Sequence, residues 1–192
     1  HARPEYASVE LVATRLAELS AALEAEQIPL RLAPNSENLL DAEFMASLGT
    51  PKARMLGAGA VALVELPYTA PVPALPELLF RIRLKGITPL IAHPERCLEF
   101  ERKGRAAEAV RSGALVGALI GRYGSTAAKL ANTFLDQGLY AVAATDLHGA
   151  AGARDWVGRS LEALRTRVGD AQLQRLMSEQ PHRLLEGQSL ES

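Results

Sequence analysis

The stretch Ile87-Thr88-Pro89-Leu90-Ile91-Ala92-His93-Pro94-Glu95-Arg96 (ITPLIAHPER) decides the fold class. Its first part, Thr88–Ala92, is a short apolar run without charge, which is typical of a β-strand that is buried on both faces. The run ends directly at an imidazole, and Arg96 follows three residues later. Apolar strands that end in ionisable residues are typical of parallel α/β sheets, where the carboxyl ends of the strands carry the chemistry.

Similar strands are predicted on both sides of this stretch. The spacing between strand starts is roughly 25 to 30 residues, the length of one strand-plus-helix unit. The predicted strands are Pro29–Ala33, Ala60–Leu66, Thr88–Ala92, Ala114–Ile120 and Tyr140–Ala144. This alternation predicts a parallel α/β sheet, either doubly wound or of the (β/α) barrel type, although a complete barrel usually needs roughly 250 residues.

Helices are predicted between the strands from apolar residues at helical spacing. The first stripe is Val9, Val12, Leu16, Leu19 and Leu23. The later helices are Leu75 to about Gly86, Arg102–Arg111, Ser125–Gln137 with Ser125 as N-cap, a stripe from Val157 to Val168, and a short one at Leu173–Met177.

Composition and charge exclude several classes of protein. The 192 residues include 21 Lys and Arg against 22 Asp and Glu, a net charge of -1 that gives no basic field for nucleic acid or an anionic membrane. One cysteine excludes an internal disulfide. The longest nearly uncharged runs are shorter than the roughly 20 residues that span a bilayer, and we expect no signal peptide because no charged segment followed by an apolar one is visible at the start. We expect a single cytoplasmic domain over residues 1–192, without membrane insertion; a homo-oligomer is compatible with this composition.

Ionisable residues lie at the end of, or just after, four of the predicted strands. They are Glu37, Glu65, His93, and the pair Asp146 and His148. Carboxylates and imidazoles that converge on one point are typical ligands of Zn, Mn or Fe, and a cluster of ions can activate water and hold phosphate oxygens. Arg96 and Arg154 could grip a phosphate with two hydrogen bonds each. Taken singly, each residue also has an ordinary structural interpretation, such as a helix cap or a turn histidine.

Three other stretches resemble known binding or catalytic motifs but lack a required feature. Gly57-Ala58-Gly59 begins like a dinucleotide fingerprint, but a strand follows where a helix is required. Gly121–Thr126 lacks the lysine of a P-loop. Cys97 is followed six residues later by Lys103, whereas a cysteine-dependent phosphatase needs arginine there, so we interpret Cys97 as a bystander.

The motif Ala92-His93-Pro94-Glu95-Arg96 resembles the AHPER motif of the PHP (polymerase and histidinol phosphatase) superfamily. Within it, the chain is most similar to the bacterial manganese-dependent tyrosine-protein phosphatases of capsule and exopolysaccharide systems. Further similar stretches occur in the same order and cover nearly the whole chain. They are Val64–Pro67, Gly86–Pro89, Gly113–Val116, Ala144–His148 and Pro181–Gly187.

The resemblance implies a metal site and a substrate site. The implied metal ligands are His1, Glu37, Glu65, His93, Asp146 and His148, which would hold two to three divalent transition ions, Mn first and Fe or Zn as alternatives. Arg96 and Arg154 would contact the substrate phosphate, and together with His148 they are the implied catalytic set. The implied fold is a distorted (β/α)7 PHP barrel that lacks its first strands and its Asp-x-His-x-His motif here, so we expect an N-terminally incomplete domain.

Three functions remain open at this point. The first is a phosphatase that acts on the tyrosine-rich tail of a bacterial tyrosine kinase in polysaccharide export. The second is a PHP phosphatase for a small phosphomonoester such as histidinol phosphate. The third is a PHP-like binding module without catalysis, which the missing Asp-x-His-x-His motif favours and the retained ligand residues oppose.

Overall fold

Five parallel strands form one sheet in the order β1-β2-β3-β4-β5. The computed structural model describes residues 8–50, 52–101 and 112–188. The strands are β1 Asn38–Leu39, β2 Val61–Glu65, β3 Thr88–Ala92, β4 Ser112–Leu115 and β5 Tyr140–Ala144. Each strand pairs with its successor in the chain, so the parallel α/β prediction is confirmed, and the predicted bounds of β3 and β5 are met.

The strand order favours one of the two predicted architectures. Strand-to-strand crossovers are right-handed, so an order that never reverses places the connecting segments on the same side of the sheet. A doubly wound sheet would instead reverse its order at a switch point. The winding is therefore that of a barrel, but the strands in the described residues form an open sheet, and no closed barrel is seen among them.

The helices lie between and after the strands. They are α1 Val9–Ala25, α2 Ala42–Ser47, α3 Leu75–Leu84, α4 Ser125–Asp136, α5 Ala153–Gln174 and α6 Gln180–Leu185. Short 3-10 helical turns occupy Pro94–Arg96, Leu98–Glu101 and Val116–Ile120. A short π-helix, Arg175–Glu179, joins α5 to α6. The predicted helix Arg102–Arg111 lies outside the described residues. No helix in the described part of the chain is long and apolar enough to cross a membrane.

The core is divided between the two faces of the sheet. Successive strand residues point to opposite faces, and β2 shows this alternation. Ala62 and Val64 belong to the large core cluster, together with residues of α3, α4 and α5. Val61 and Leu63 pack in a smaller cluster with Leu184 of α6. The C-terminal helix therefore covers part of the second face.

The predicted strand Pro29–Ala33 is wrong. These residues form no regular structure, and the first strand is the two-residue β1 further along the chain. Pro29 and Pro34 have no N–H to give to a neighbouring strand, which disfavours a ladder there. Asn38 is instead fixed by its side chain, whose Nδ2 donates to the Leu63 carbonyl at 3.0 Å.

Two further predicted boundaries are wrong. The predicted strand Ala114–Ile120 ends at Leu115, and the apolar residues that follow form a 3-10 turn. Helix α4 has no side-chain cap from Ser125, because Ser125 is already its first helical residue. Gly124 takes the N-cap position with φ 92°, a conformation that glycine adopts without a steric penalty.

Candidate functional site

Two carboxylates and one imidazole meet at the carboxyl ends of β2 and β3. The His93 Nε2 atom lies 3.0 Å from Glu37 Oε1 and 3.7 Å from Glu65 Oε1. One ligand atom from each of the three residues lies within 4.8 Å of the others. His93 and Glu65 are buried, whereas Glu37 is partly exposed.

The register of the sheet places these residues together. Val64 pairs with Ile91, so Glu65 at the end of β2 and His93 directly after β3 lie within one residue of each other in register. His93 has φ 30°, in the left-handed region, and opens the turn Pro94–Arg96. Glu37 was predicted to follow a strand but precedes β1. It reaches the site because β1 lies beside β2.

Charge interactions shift the proton affinity of the site. Burial would raise the pKa of Glu37, but the hydrogen bond and the positive charge of His93 outweigh it and hold the pKa below its usual value. The Tyr68 hydroxyl donates to Glu65 Oε1 and lies 3.4 Å from His93 Nε2. Burial and then the Glu65 carboxylate raise the Tyr68 pKa well above its ordinary value, so this tyrosine keeps its proton at neutral pH and donates a hydrogen bond.

The donor set fits a divalent metal ion. Carboxylate oxygens and an imidazole nitrogen are the ligands that Mn, Fe and Zn accept. The carboxylates of Glu37 and Glu65 lie close together in a largely buried site. Their negative charges would be compensated by a bound cation.

Asp146 and His148 follow β5 and line the same cavity as Glu37 and His93, with a volume of about 520 Å³. Asp146 adopts φ 50°, and its backbone carbonyl lies 2.8 Å from His148 Nδ1. Because a carbonyl can only accept, Nδ1 is the donor in this contact, which leaves Nε2 as the ring atom that could bind a metal ion.

Arg96 lies between two aromatic rings in this cavity. Its guanidinium carbon is 4.4 Å from the Tyr68 ring centre and 4.6 Å from the Tyr123 ring centre. Arg154 is exposed near the start of α5 and is not among the described residues that line the cavity. His1 lies outside the described residues, so its role as a ligand stays a prediction.

The loop that carries His93 and Arg96 is anchored by a buried carboxylate. Glu95, only 1% exposed, accepts a hydrogen bond of 2.8 Å from the Tyr140 hydroxyl of β5. Burial, and then the negative charge of Glu95, raise the pKa of Tyr140 far above its ordinary value. This buried contact ties the loop after β3 to the far edge strand.

The sequence reasoning missed the aromatic and cationic wall of the cavity. Tyr68, Arg122, Tyr123 and Trp156 all line it. The guanidinium of Arg122 lies 4.3 Å from the Trp156 ring centre. Tyr68 had one visible signal, because it stands three residues after Glu65 on the loop from a ligand-bearing strand. Arg122 and Trp156 had none, because their contact joins separate elements.

The chain is similar to known proteins over most of its length. The chain is 26% identical over 178 residues to the tyrosine-protein phosphatase YwqE of Bacillus subtilis (strain 168), and the match covers 90% of this chain and 70% of that protein. A crystal structure from a study of YwqE from Bacillus subtilis and CpsB from Streptococcus pneumoniae, described as metal-dependent tyrosine phosphatases, matches with a TM-score of 0.80. That match has 25% identity and covers 94% of this chain and 74% of the other. The family model for capsular polysaccharide synthesis, CpsB/CapC, matches residues 1–186, and the chain therefore belongs to the CpsB/CapC family.

Proposed function

We propose that this chain is a metal-dependent protein tyrosine phosphatase that acts in capsular polysaccharide synthesis. The observation that carries the proposal is the shared cavity, which joins the Glu37, Glu65 and His93 cluster to the guanidinium of Arg96. A metal site beside a cation that can bind two oxygens is the arrangement that phosphate-ester hydrolysis needs. Membership of the CpsB/CapC family and the similarity to YwqE support the same reaction.

The metal site of the proposed enzyme holds two to three divalent ions, with Mn as the first choice. Glu37, Glu65 and His93 would bind one part of the cluster, and Asp146 and His148 another, with His1 as a further ligand. Bound ions supply positive charge that stabilises phosphoryl oxygens and lowers the pKa of water. The five-stranded sheet, by this proposal, is part of a distorted PHP barrel.

The residues of the chain orient the substrate. Arg96 donates from its planar fork to two phosphoryl oxygens, and the rings of Tyr68 and Tyr123 hold that fork in place. We also assign phosphate contact to Arg154, by its position in the family pattern. A tyrosine leaving group has a pKa of about 10, so it needs less help from a general acid than an alkyl alcohol does.

The proposed substrate is a phosphotyrosine protein, namely the tail of a bacterial tyrosine kinase. The cavity of about 520 Å³ is lined by aromatic side chains that suit a phenyl ring. The acidic and imidazole groups then face the phosphoryl end of the same substrate.

Phosphatase assays with Mn present test the proposal. We expect turnover of a phosphotyrosine peptide, little turnover of histidinol phosphate, and a loss of about 100-fold or more in His93→Ala. His182→Ala is the matched control, because this histidine lies on α6, outside the cavity lining. Preferential turnover of histidinol phosphate would support the small-substrate alternative. No turnover of either substrate by the metal-loaded protein would support a binding module.

A further inference from the structure

The cavity contains a second arginine that the family pattern did not assign. Arg122 follows the 3-10 turn Val116–Ile120, and its guanidinium carbon lies 4.3 Å from the ring centre of Trp156 on α5. Trp156 is buried at 6% exposure, so its ring is a fixed surface against which the guanidinium lies. Both residues line the same cavity as Arg96.

The head of each arginine contacts an aromatic ring. Among the described residues, no carboxylate lies within ion-pair distance of the Arg96 or Arg122 guanidinium. A guanidinium carries five N–H donors in its plane, and a ring that contacts its face leaves these donors available. Arginine heads that contact aromatic rings and pair with no carboxylate in the described part of the chain are therefore prepared to bind an anion in the cavity.

Gly117 allows this arrangement to pack. A Cβ atom at Gly117 would lie 3.1 Å from Arg122 Cδ, 3.3 Å from Tyr123 Cε2 and 3.6 Å from Trp156 Cζ3. The stem of Arg122, the ring of Tyr123 and the edge of Trp156 therefore converge over one glycine. Since Tyr123 also contacts Arg96, the two arginines belong to one packed unit.

We propose that Arg122, held on Trp156, is the second substrate-binding arginine of the cavity and binds phosphoryl oxygens together with Arg96. The inference rests on the proposed phosphatase function and deepens it. Arg96 and Arg122 line the cavity and Arg154 does not, so the contact proposed for Arg122 is additional to the one that the family pattern implies for Arg154. Trp156 is then a positioning residue that acts through Arg122.

The test compares binding of inorganic phosphate with catalysis in the Mn-loaded full chain. Isothermal titration with phosphate is run on the wild type, Arg122→Met and Arg122→Lys. The matched control is Arg159→Met, which removes an exposed arginine from the same helix as Trp156, where it pairs with Asp155 in i,i+4 spacing. Kinetics on a small aryl phosphate and on a phosphotyrosine peptide accompany the titrations, and thermal unfolding confirms that each variant is folded.

We expect Arg122→Met to weaken phosphate binding about tenfold or more and to raise KM for the small aryl phosphate by a similar factor, because a charge-assisted contact is lost. Arg122→Lys keeps the charge but not the fork, so its loss is smaller. Trp156→Leu weakens phosphate binding although Arg122 is present. Arg159→Met binds phosphate like the wild type.

Phosphate binding by Arg122→Met within twofold of the wild type would overturn the inference. A rise in KM for the peptide alone would also overturn it, since Arg122 would then contact the peptide outside the phosphoryl group. These failures leave the proposed function intact when the wild type hydrolyses phosphotyrosine. A different result is that the wild type hydrolyses no phosphotyrosine but binds phosphate, and Arg122→Met binds it more weakly. In that case the proposed function fails and the anion site stands.

Discussion

The buried bond between Tyr140 and Glu95 makes a sharp prediction about stability. The Tyr140 hydroxyl donates to Glu95 Oε2 at 2.8 Å, and both residues are almost fully buried, at 5% and 1% exposure. Tyr140→Phe removes the donor and leaves a buried carboxylate with one partner fewer. Such a bond to a charged group contributes roughly 1.5–3 kcal/mol. For a chain of this size each kcal/mol lowers Tm by about 2–4 °C, so we expect a decrease of roughly 3–12 °C.

The same bond predicts how stability changes at alkaline pH. The ordinary tyrosine pKa is 10.0, and the pKa of Tyr140 is raised far above it in the folded protein. Above pH 10 the unfolded chain therefore releases the Tyr140 proton while the folded chain keeps it, so its contribution to stability is lost as the pH rises. The contribution is complete below that pH. Between about pH 9 and pH 11, where tyrosine titrates in the unfolded chain, Tyr140→Phe should therefore lose less stability than the wild type.

Urea unfolding of four proteins measures the effect: wild type, Tyr140→Phe, Glu95→Gln and the double variant. Because the two side chains share one bond, we expect the single effects not to add, with a coupling of about 1 kcal/mol or more. Thr133→Val is the matched control, since it removes a hydroxyl on a partly exposed residue that donates to the Lys129 carbonyl of the same helix. A change below about 0.5 kcal/mol in Tyr140→Phe, with additive effects in the cycle, would refute the reasoning.

Three further predictions concern packing, the thiol and the metal. Gly57→Ala should lower the free energy of unfolding in urea by about 2–5 kcal/mol. Gly57 has φ 58°, and an added Cβ would lie 2.2 Å from the Leu185 carbonyl oxygen. Gly49→Ala, with φ 85° and open space, should cost only about 1–2 kcal/mol, and equal losses would contradict the steric argument. Burial raises the Cys97 pKa to about 12, so a thiol reagent should react only after denaturation; rapid labelling of native protein would contradict this. A chelator should lower Tm in calorimetry, and Mn should restore it, because the carboxylate of Glu65 loses its cation; an unchanged Tm would count against the site.

The sequence predicted the parts of the fold that depend on local pattern. Strands β3 and β5 are apolar runs buried between neighbours, and their bounds were readable from composition. Strand β1 was missed because only two residues pair, and the polar Asn38 is held there by side-chain hydrogen bonds that no hydrophobic pattern shows. The 3-10 turn after β4 was read as strand because its residues are equally apolar.

Some residues of the candidate site could be predicted from local pattern, and others could not. Glu65 and His93 were predictable because each marks the end of a strand, and parallel strand ends meet at one edge. Arg122 was not predictable, because its place in the cavity depends on a contact with Trp156 from a different helix. The position of Glu37 in the site likewise depends on a long-range contact, because Glu37 directly precedes β1 and β1 pairs with β2. No local motif indicates this pairing.

The consecutive strand order also has a consequence for folding during synthesis. Each strand pairs with the next one made, so every closure of the sheet joins segments that leave the ribosome one after the other, at low cost in loop entropy. The exception is the end of α6, where the Leu185 carbonyl accepts from the Ala58 N–H at 2.9 Å. That contact forms only after α6 has emerged, so the sheet can assemble strand by strand before α6 packs against it.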